Sequence, residues 1–561
     1  MRFTVLFAQL LGLLVCHSFA QEGPFEIHVQ TSSFIVREDD RQMQTASVTL
    51  KGIEEKAPAV ITIDTGDAVV THVVDVAADI DNQFDVTFPV LREPRDVLFS
   101  VRCQGTQIAR TTRVEPPRFW TLFFVEHTHT DIGYTKLQTE LMRLHGEYIV
   151  QALDLCRQTD DYPNDAKFRW TCETTWTVQR FLEQCTEEQL EEFIRRVEEG
   201  RIEVAGFYLN QTDLVAGDEL VRELYWAARL RRDYDIPVVA AMNSDINGLS
   251  WAWPQLLSKS GIRYLNMATN ATRAKSHRDR PDGFYWEAPD GSRVLTWNSE
   301  HYMHGNRLQL PKSMDLFVAE TAKYLTRLDE RGYPYNGALV QISGEYTDNS
   351  PPTIIVSDRV KEWNERFVSP RLVVATLSEW FEYLEANYRD EIPVVKEAWP
   401  DWWSDGHGSS AAETALNRST HRAIHAAECV RTLTSLLPPE QPYPADELRR
   451  AMESMMLYDE HTWGAAQSIS EPESEMTKGQ WAIKSSYATV AHATSTALLD
   501  EGLDTFAAQV GDTPDDKRIV VFNSLSWKRG APVELELDLS DSQVIVDDET
   551  AITDTLSRYF T

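Results

Sequence analysis

The chain has 561 residues, which at roughly 150 residues per domain predicts three to four domains. Its 54 Lys and Arg stand against 87 Asp and Glu, a net charge of −33 that repels phosphate backbones and anionic lipid and so argues against nucleic-acid and membrane-surface partners. With 42% hydrophobic and 25% charged residues, the composition is that of a folded protein and excludes a disordered one.

At the N-terminus, Arg2 precedes an apolar run from Phe3 to Val15, and Ser18-Phe19-Ala20 supplies small residues for cleavage. This predicts a signal peptide over 1–20 and a secreted or periplasmic protein. Val15 is bulky where a lipoprotein carries a small residue before Cys16, so lipidation is the weaker reading. No later stretch is apolar over the roughly eighteen residues that a membrane span needs. Beyond the signal stand Cys103, Cys156, Cys172, Cys185 and Cys429, an odd set without C-x-x-C spacing. That is neither a disulfide scaffold nor a thiolate metal site, although a lone Cys172–Cys185 bond stays open. Asn210, Asn270 and Asn417 each open an N-x-S/T sequon.

From 22 to 117, short alternating runs such as Ala46-Ser-Val-Thr-Leu and Val60-Ile-Thr-Ile between Gly, Pro and Asp-rich breaks predict a β-sandwich of immunoglobulin or fibronectin type. From 118 to 400 the pattern becomes buried strand followed by amphipathic helix. Strands are predicted at Thr121–Val125, Phe168–Cys172, 202–205, 238–242, 264–267, 338–342 and 372–375. One helix opens on Thr186 and Gln189 in capping-box spacing and stops at Gly200. Seven such units predict an α/β multidomain chain built on a (β/α)7-type barrel, with its chemistry at the carboxyl ends of strands. Helical periodicity dominates 401–510 and predicts a bundle, and a strand pattern from 515 to 561 reads as the start of an incomplete C-terminal β-sandwich.

The strongest motif is Val125-Glu-His127-Thr-His129-Thr-Asp131-Ile-Gly133-Tyr134, at the end of the first predicted barrel strand. On extended chain, alternate residues share a face, so His127, His129 and Asp131 point together. Two imidazoles and a carboxylate suit a borderline divalent metal such as zinc, whereas the plain alternative is hydrogen bonding that caps the strand. Asp245 and Asp348 follow two further predicted strands, as helix cap or turn residue in the plain reading. His461 stands after a helix in Tyr458-Asp-Glu-His461-Thr-Trp463.

Together these motifs resemble family 38 of the glycoside hydrolases, the class II α-mannosidases. The family's H-S-H-N-D-P-G-W is similar to residues 127–134, and its D-P-F-G-H-S to Asp245-Ile-Asn-Gly-Leu-Ser250. Its F-x-W-x-x-P-D-G-S-x-V-L run is similar to Phe284-Tyr-Trp286-Glu-Ala-Pro-Asp290-Gly-Ser-Arg-Val-Leu295. Asp348 with Pro351 and the His at 461 also match, and Ile519-Val-Val-Phe-Asn-Ser-Leu-Ser-Trp527 looks like the opening of the family's β-domain. The resemblance covers about 118–530 and implies one divalent metal, most simply Zn2+, held by His129, Asp131, Asp245 and His461. His127 would orient a ligand rather than be one. It further implies retaining hydrolysis of an α-mannoside, with Asp245 as nucleophile and Asp348 as general acid and base, on a mannose-containing glycan as the partner. Tyr134, Trp286 and Asp213 are the candidate substrate-binding residues, with core packing the equal alternative for Trp286.

Four departures stand out: Tyr134 replaces a Trp, Leu249 a His, Glu345-Tyr346 alters the turn before Asp348, and Asn210-Gln-Thr-Asp213 replaces an acidic segment. Relatives also continue through a long C-terminal β-domain. A metal-dependent sugar deacetylase or amidohydrolase, and a non-catalytic carbohydrate-binding protein, are the alternatives.

Overall fold

The protein is described by a computed structural model covering residues 25–270, 272, 280–345, 347–436, 441–510, 521–530 and 532. The expected signal peptide and most of the expected C-terminal β-domain lie outside these residues. The chain divides into two compact units, Met1–Ile424 with Pro444–Ala497 and His425–Tyr443 with Leu498–Thr561.

The first unit begins with seven antiparallel strands: β1 Glu26–Glu38, β2 Arg41–Lys51, β3 Ala57–Asp64, β4 Val69–Val76, β5 Asn82–Pro89, β6 Arg95–Cys103 and β7 Thr106–Val114. Alternate residues turn inward, among them Ala46, Val48 and Leu50, Ala59, Ile61 and Ile63, and Val97, Phe99 and Val101. They form one buried core, in which each large aliphatic or aromatic side chain contributes about 1.5–3 kcal/mol. Strands β4-β3-β6-β7 make one sheet and β1-β2-β5 the other.

The α/β region follows, with strands β8 Thr121–His127, β9 Trp170–Cys172, β10 Ile202–Val204, β11 Ala240–Asp245, β12 Tyr264–Thr269, β13 Gly283–Glu287, β14 Arg293–Asn298, β15 Gly337–Ser343, β16 Phe367–Ser369, β17 Arg371–Ala375 and β18 Val394–Val395. β8 is apolar without alternation and buried on both faces, as expected of a central parallel strand. It lies between β15 and β17, in register from Gly337 against Thr121 to Ser343 against His127. β16 pairs antiparallel with β1, so the sandwich sheet continues into this region. Phe34 adds edge-on ring contacts to Trp363 and Phe367 at 5.7 and 5.3 Å.

All seven expected strands are present. The strands form three sheets, β15-β8-β17, β9-β10 and β11-β12-β14-β13-β18. Two strands that the sequence reading did not give form a hairpin: β13 folds back antiparallel on β14 through a turn in which Ser292 N donates to Asp290 Oδ1 at 3.0 Å and Gly291 takes φ +85°. β18 then adds to the outer edge of β13.

Amphipathic helices cover these strands. Thr186 caps the helix Glu187–Glu198 with the reciprocal Gln189 bond, and Gly200, at φ +67°, ends its C-terminal turn. Helix Ala445–Asp459 and helical residues 411–424 and 475–497 complete the unit. The second unit is helical over 425–436 and 498–510, where Phe506 packs on Phe522 at 5.5 Å. Its residues 521–530 carry no regular element. Cys172 and Cys185 are free thiols, as is each other described cysteine. No helix among the described residues is long and apolar enough to cross a membrane.

Candidate active site

The chain leaving β8 remains extended and is pinned at alternate residues to the loop after β15. Gly344 N donates to His127 O at 3.0 Å, His129 N to Ser343 Oγ at 2.9 Å and Asp131 N to Asn349 Oδ1 at 3.0 Å. This tether aims the buried side chains of His129 and Asp131 into one space. Asp245, at the end of β11, and His461, just after helix Ala445–Asp459, enter the same space. One donor atom from each of these four residues lies within 4.8 Å of the others.

Asp131 Oδ1 is 3.4 Å from His129 Nε2 and 3.2 Å from His461 Nε2, which is itself 3.4 Å from Asp245 Oδ2. Behind each imidazole stands a carboxylate, Glu173 Oε1 at 3.1 Å from His129 Nδ1 and Glu460 Oε1 at 2.7 Å from His461 Nδ1. Such partners fix the ring so that Nε2 faces inward and raise its basicity. Both inward Nε2 atoms are buried without a hydrogen-bond partner. The second oxygens of the carboxylates are held from outside, Asp131 Oδ2 by Asn349 at 2.9 Å and Asp245 Oδ1 by Asn270 at 2.7 Å. The result is a buried cage of two nitrogens and two oxygens with both inward nitrogens unclaimed, a donor set that fits a borderline divalent cation.

The electrostatics agree. Burial disfavours charge on His129, yet Glu173 and Asp131 outweigh it and hold its pKa well above the ordinary value. His461 behaves likewise through Glu460, Asp131 and Asp245. Burial would raise the Glu173 carboxyl, but His129 holds it down at about 2. The space favours positive charge.

Asp245 takes φ +75°, a left-handed conformation costing a non-glycine residue roughly 1–2 kcal/mol. Strain of this kind gathers at functional sites. Asp348 follows β15 with Oδ1 unpartnered and Oδ2 accepting from the Tyr302 hydroxyl at 3.3 Å. Burial is the main cause that pushes its carboxyl up to about 6. The Tyr302 ring lies 4.5 Å from His129. His127 Nε2 donates to the Tyr302 carbonyl at 3.1 Å. It therefore positions Tyr302 and stays out of the cage.

The three expected substrate-binding residues are placed differently. Tyr134 follows the cage segment with its ring 44% exposed. Asp213 is exposed too. Trp286 is corrected: it is fully buried in β13, edge-on to Trp399 at 5.8 Å, and its indole N–H donates to Glu397 O. No face is left for a sugar, and core packing claims it.

Sequence reasoning missed Glu173, Glu460, Tyr302, Asn270 and Asn349. Glu173 follows the predicted strand at 168–172, where strand-end chemistry was already expected, and Glu460 and Asn349 stand beside recognised residues. Asn210 also belongs here, its Oδ1 accepting from Ser244 N at 3.3 Å and its carbonyl from His461 N at 2.9 Å. Nothing local marks Tyr302, which follows the unrecognised strand β14.

Parallel strands whose carboxyl ends carry a buried four-donor cage define a class, the α/β proteins with a strand-end site fit for a divalent metal. Within that class, a family model described as the glycosyl hydrolases family 38 N-terminal domain matches residues 119–402. The chain belongs to that family. Among solved structures it is similar to an alpha-mannosidase from Enterococcus faecalis V583, at 17% identity and a TM-score of 0.54 over 69% of this chain and 43% of that one. It is also similar to a glycosyl hydrolase family 38 protein from Enterococcus faecalis, at 15% identity and a TM-score of 0.49 over 69% of this chain and 40% of that one. The chain thus spans less than half the length of either. No curated protein matches it by sequence.

Proposed function

We propose that this chain is a secreted, metal-dependent retaining glycoside hydrolase acting on α-mannosides. The observation that carries the reading is the meeting of His129, Asp131, Asp245 and His461 in one cage, with the raised Asp348 carboxyl held beside it by Tyr302, whose ring packs on His129. The four cage residues would hold the metal, most simply zinc. When bound, such an ion would hold sugar hydroxyls and favour the distorted ring that precedes an oxocarbenium-like transition state.

The chain's own residues account for the rest. Asp245, its Oδ1 fixed by Asn270, attacks the anomeric carbon and forms a glycosyl ester as the glycosidic C–O bond breaks. Asp348 gives its proton to the departing oxygen, then takes one from the water that cleaves the ester, restoring both carboxyl groups.

The test is a fluorinated mannosyl donor that forms the intermediate but turns over slowly, followed by peptide mass analysis. Labelling of Asp245 is expected. Hydrolysis without any trapped ester would favour a water-attack mechanism, and sugar binding without hydrolysis a non-catalytic role.

A further inference from the structure

A second buried cluster lies apart from the cage and takes no part in the proposed chemistry. It joins Glu219 of the helix Gly217–Arg222, His421 of the helical residues 411–424, and Asp459, the last residue of helix Ala445–Asp459. His421 Nε2 is 3.1 Å from Glu219 Oε2 and 3.2 Å from Asp459 Oδ2, and one donor atom from each residue lies within 4.8 Å of the others. Glu219 and Asp459 are fully buried.

The hydrogen bonding around this cluster is incomplete. Glu219 Oε2 also accepts from Ala216 N at 2.6 Å, but the buried Glu219 Oε1 has no partner. Glu223, one turn further on, adds a third buried carboxylate; its Oε2 accepts from Leu209 N at 3.0 Å, and its Oε1 also has none. The buried Lys484 is committed elsewhere. Its ammonium donates to Leu457 O, Glu460 O and Glu460 Oε2 at 2.9, 3.0 and 3.3 Å. Two buried carboxylates therefore share the His421 imidazole, with a third one helical turn away, and an uncompensated charge at such a depth is costly. Burial accordingly pushes Glu219 well above its ordinary range and Glu223 up to about 8.

We propose that Glu219, His421 and Asp459 form a second divalent-cation site, which takes a first-row ion such as zinc through two carboxylate oxygens and the imidazole Nε2. Ligand atoms 3.1–3.2 Å apart are near the spacing that metal–ligand bonds of about 2.0–2.2 Å impose on a tetrahedral ion. The ion is structural. Thr212 Oγ1 donates to Asp459 O at 3.1 Å and Gln211 Nε2 to Met456 O at 3.1 Å, so a cation on Asp459 fastens the segment that presents His461.

The test is metal content of the full-length chain, stripped with chelator, reloaded with zinc alone and measured by mass spectrometry of the elements. About two ions per chain are expected in the parent, about one in His421→Ala and about one in His129→Ala, which removes a donor of the first cage. An unchanged count in His421→Ala overturns the proposal, as does a count of none in His129→Ala. Loss of an ion in His421→Ala supports it whatever the first cage holds. Should His421→Ala not fold, Glu219→Gln keeps the side-chain volume while removing a charge, and zinc at the parent's level in that variant overturns the site.

Discussion

Asp348 and Asp245 are the same residue type in one active site, and their surroundings separate their roles. Asp245 has one oxygen held by Asn270 and the other facing His461, which fixes the carboxylate as a nucleophile must be fixed. Asp348 has one free oxygen and a carboxyl raised from 3.8 to about 6, first by burial and further by Asp131 and Asp245. Because the shift is upward, the protonated acid persists below about pH 6 and is lost as pH rises through that value. The kcat/KM profile for an unactivated α-mannoside should therefore fall above about pH 6 through this group. In Asp348→Asn that limb should vanish, with rates on poor leaving groups down about 10²–10⁴-fold and activated aryl mannosides affected less. An unchanged alkaline limb in the variant would remove Asp348 from the acid role.

At the scale of elements, the site depends on how helix ends and strand ends are held. Helix Ala445–Asp459 exposes its last carbonyls at the negative end of its dipole. The buried Lys484 answers them, donating to Leu457 O and Glu460 O while pairing with Glu460 Oε2. Glu460 in turn backs His461. Lys484→Met should thus cost about 3–5 kcal/mol in denaturant unfolding, because it strands a buried carboxylate. Zinc affinity in chelator competition should fall by about 10–100-fold, because His461 loses its orientation. Stability and affinity both unchanged would show that the pair does not support the cage.

None of this support was legible in the sequence, since Lys484 and Glu460 stand 24 positions apart on separate elements. The strands were legible because β8, β11 and β15 are buried apolar runs ending in polar residues, and the helix Ala411–Leu436 because its periodicity is unbroken. The β13–β14 hairpin was not, because Pro289-Asp-Gly-Ser292 was read as a motif rather than as a turn between strands. Trp286 shows the same limit: an aromatic residue fills a core or lines a sugar site with identical chemistry, and only burial separates the two.

Across the whole molecule, the cage is a long-range clasp. His129 and Asp131 leave one strand, Asp245 another, and His461 comes from the helical region more than three hundred residues along the chain. In a protein of net charge −33, the cage and its backing residues gather Asp131, Asp245, Glu173 and Glu460 in one buried volume, and a bound cation compensates carboxylates that would otherwise repel. Ligand binding to the folded state alone stabilises it by about 2.7 kcal/mol at a free concentration of about 100 Kd. Chelator-stripped protein should accordingly melt several degrees below the zinc-loaded form, and reloading with zinc should restore the difference. The gap should shrink at acid pH, because protons then compete with the metal for the same imidazole and carboxylate atoms. In His129→Ala the part of the gap owed to this cage should disappear, while that owed to Glu219, His421 and Asp459 persists. Calorimetry that finds equal melting temperatures for stripped and loaded parent protein at neutral pH would show that the four side chains meet without holding a metal that couples to folding.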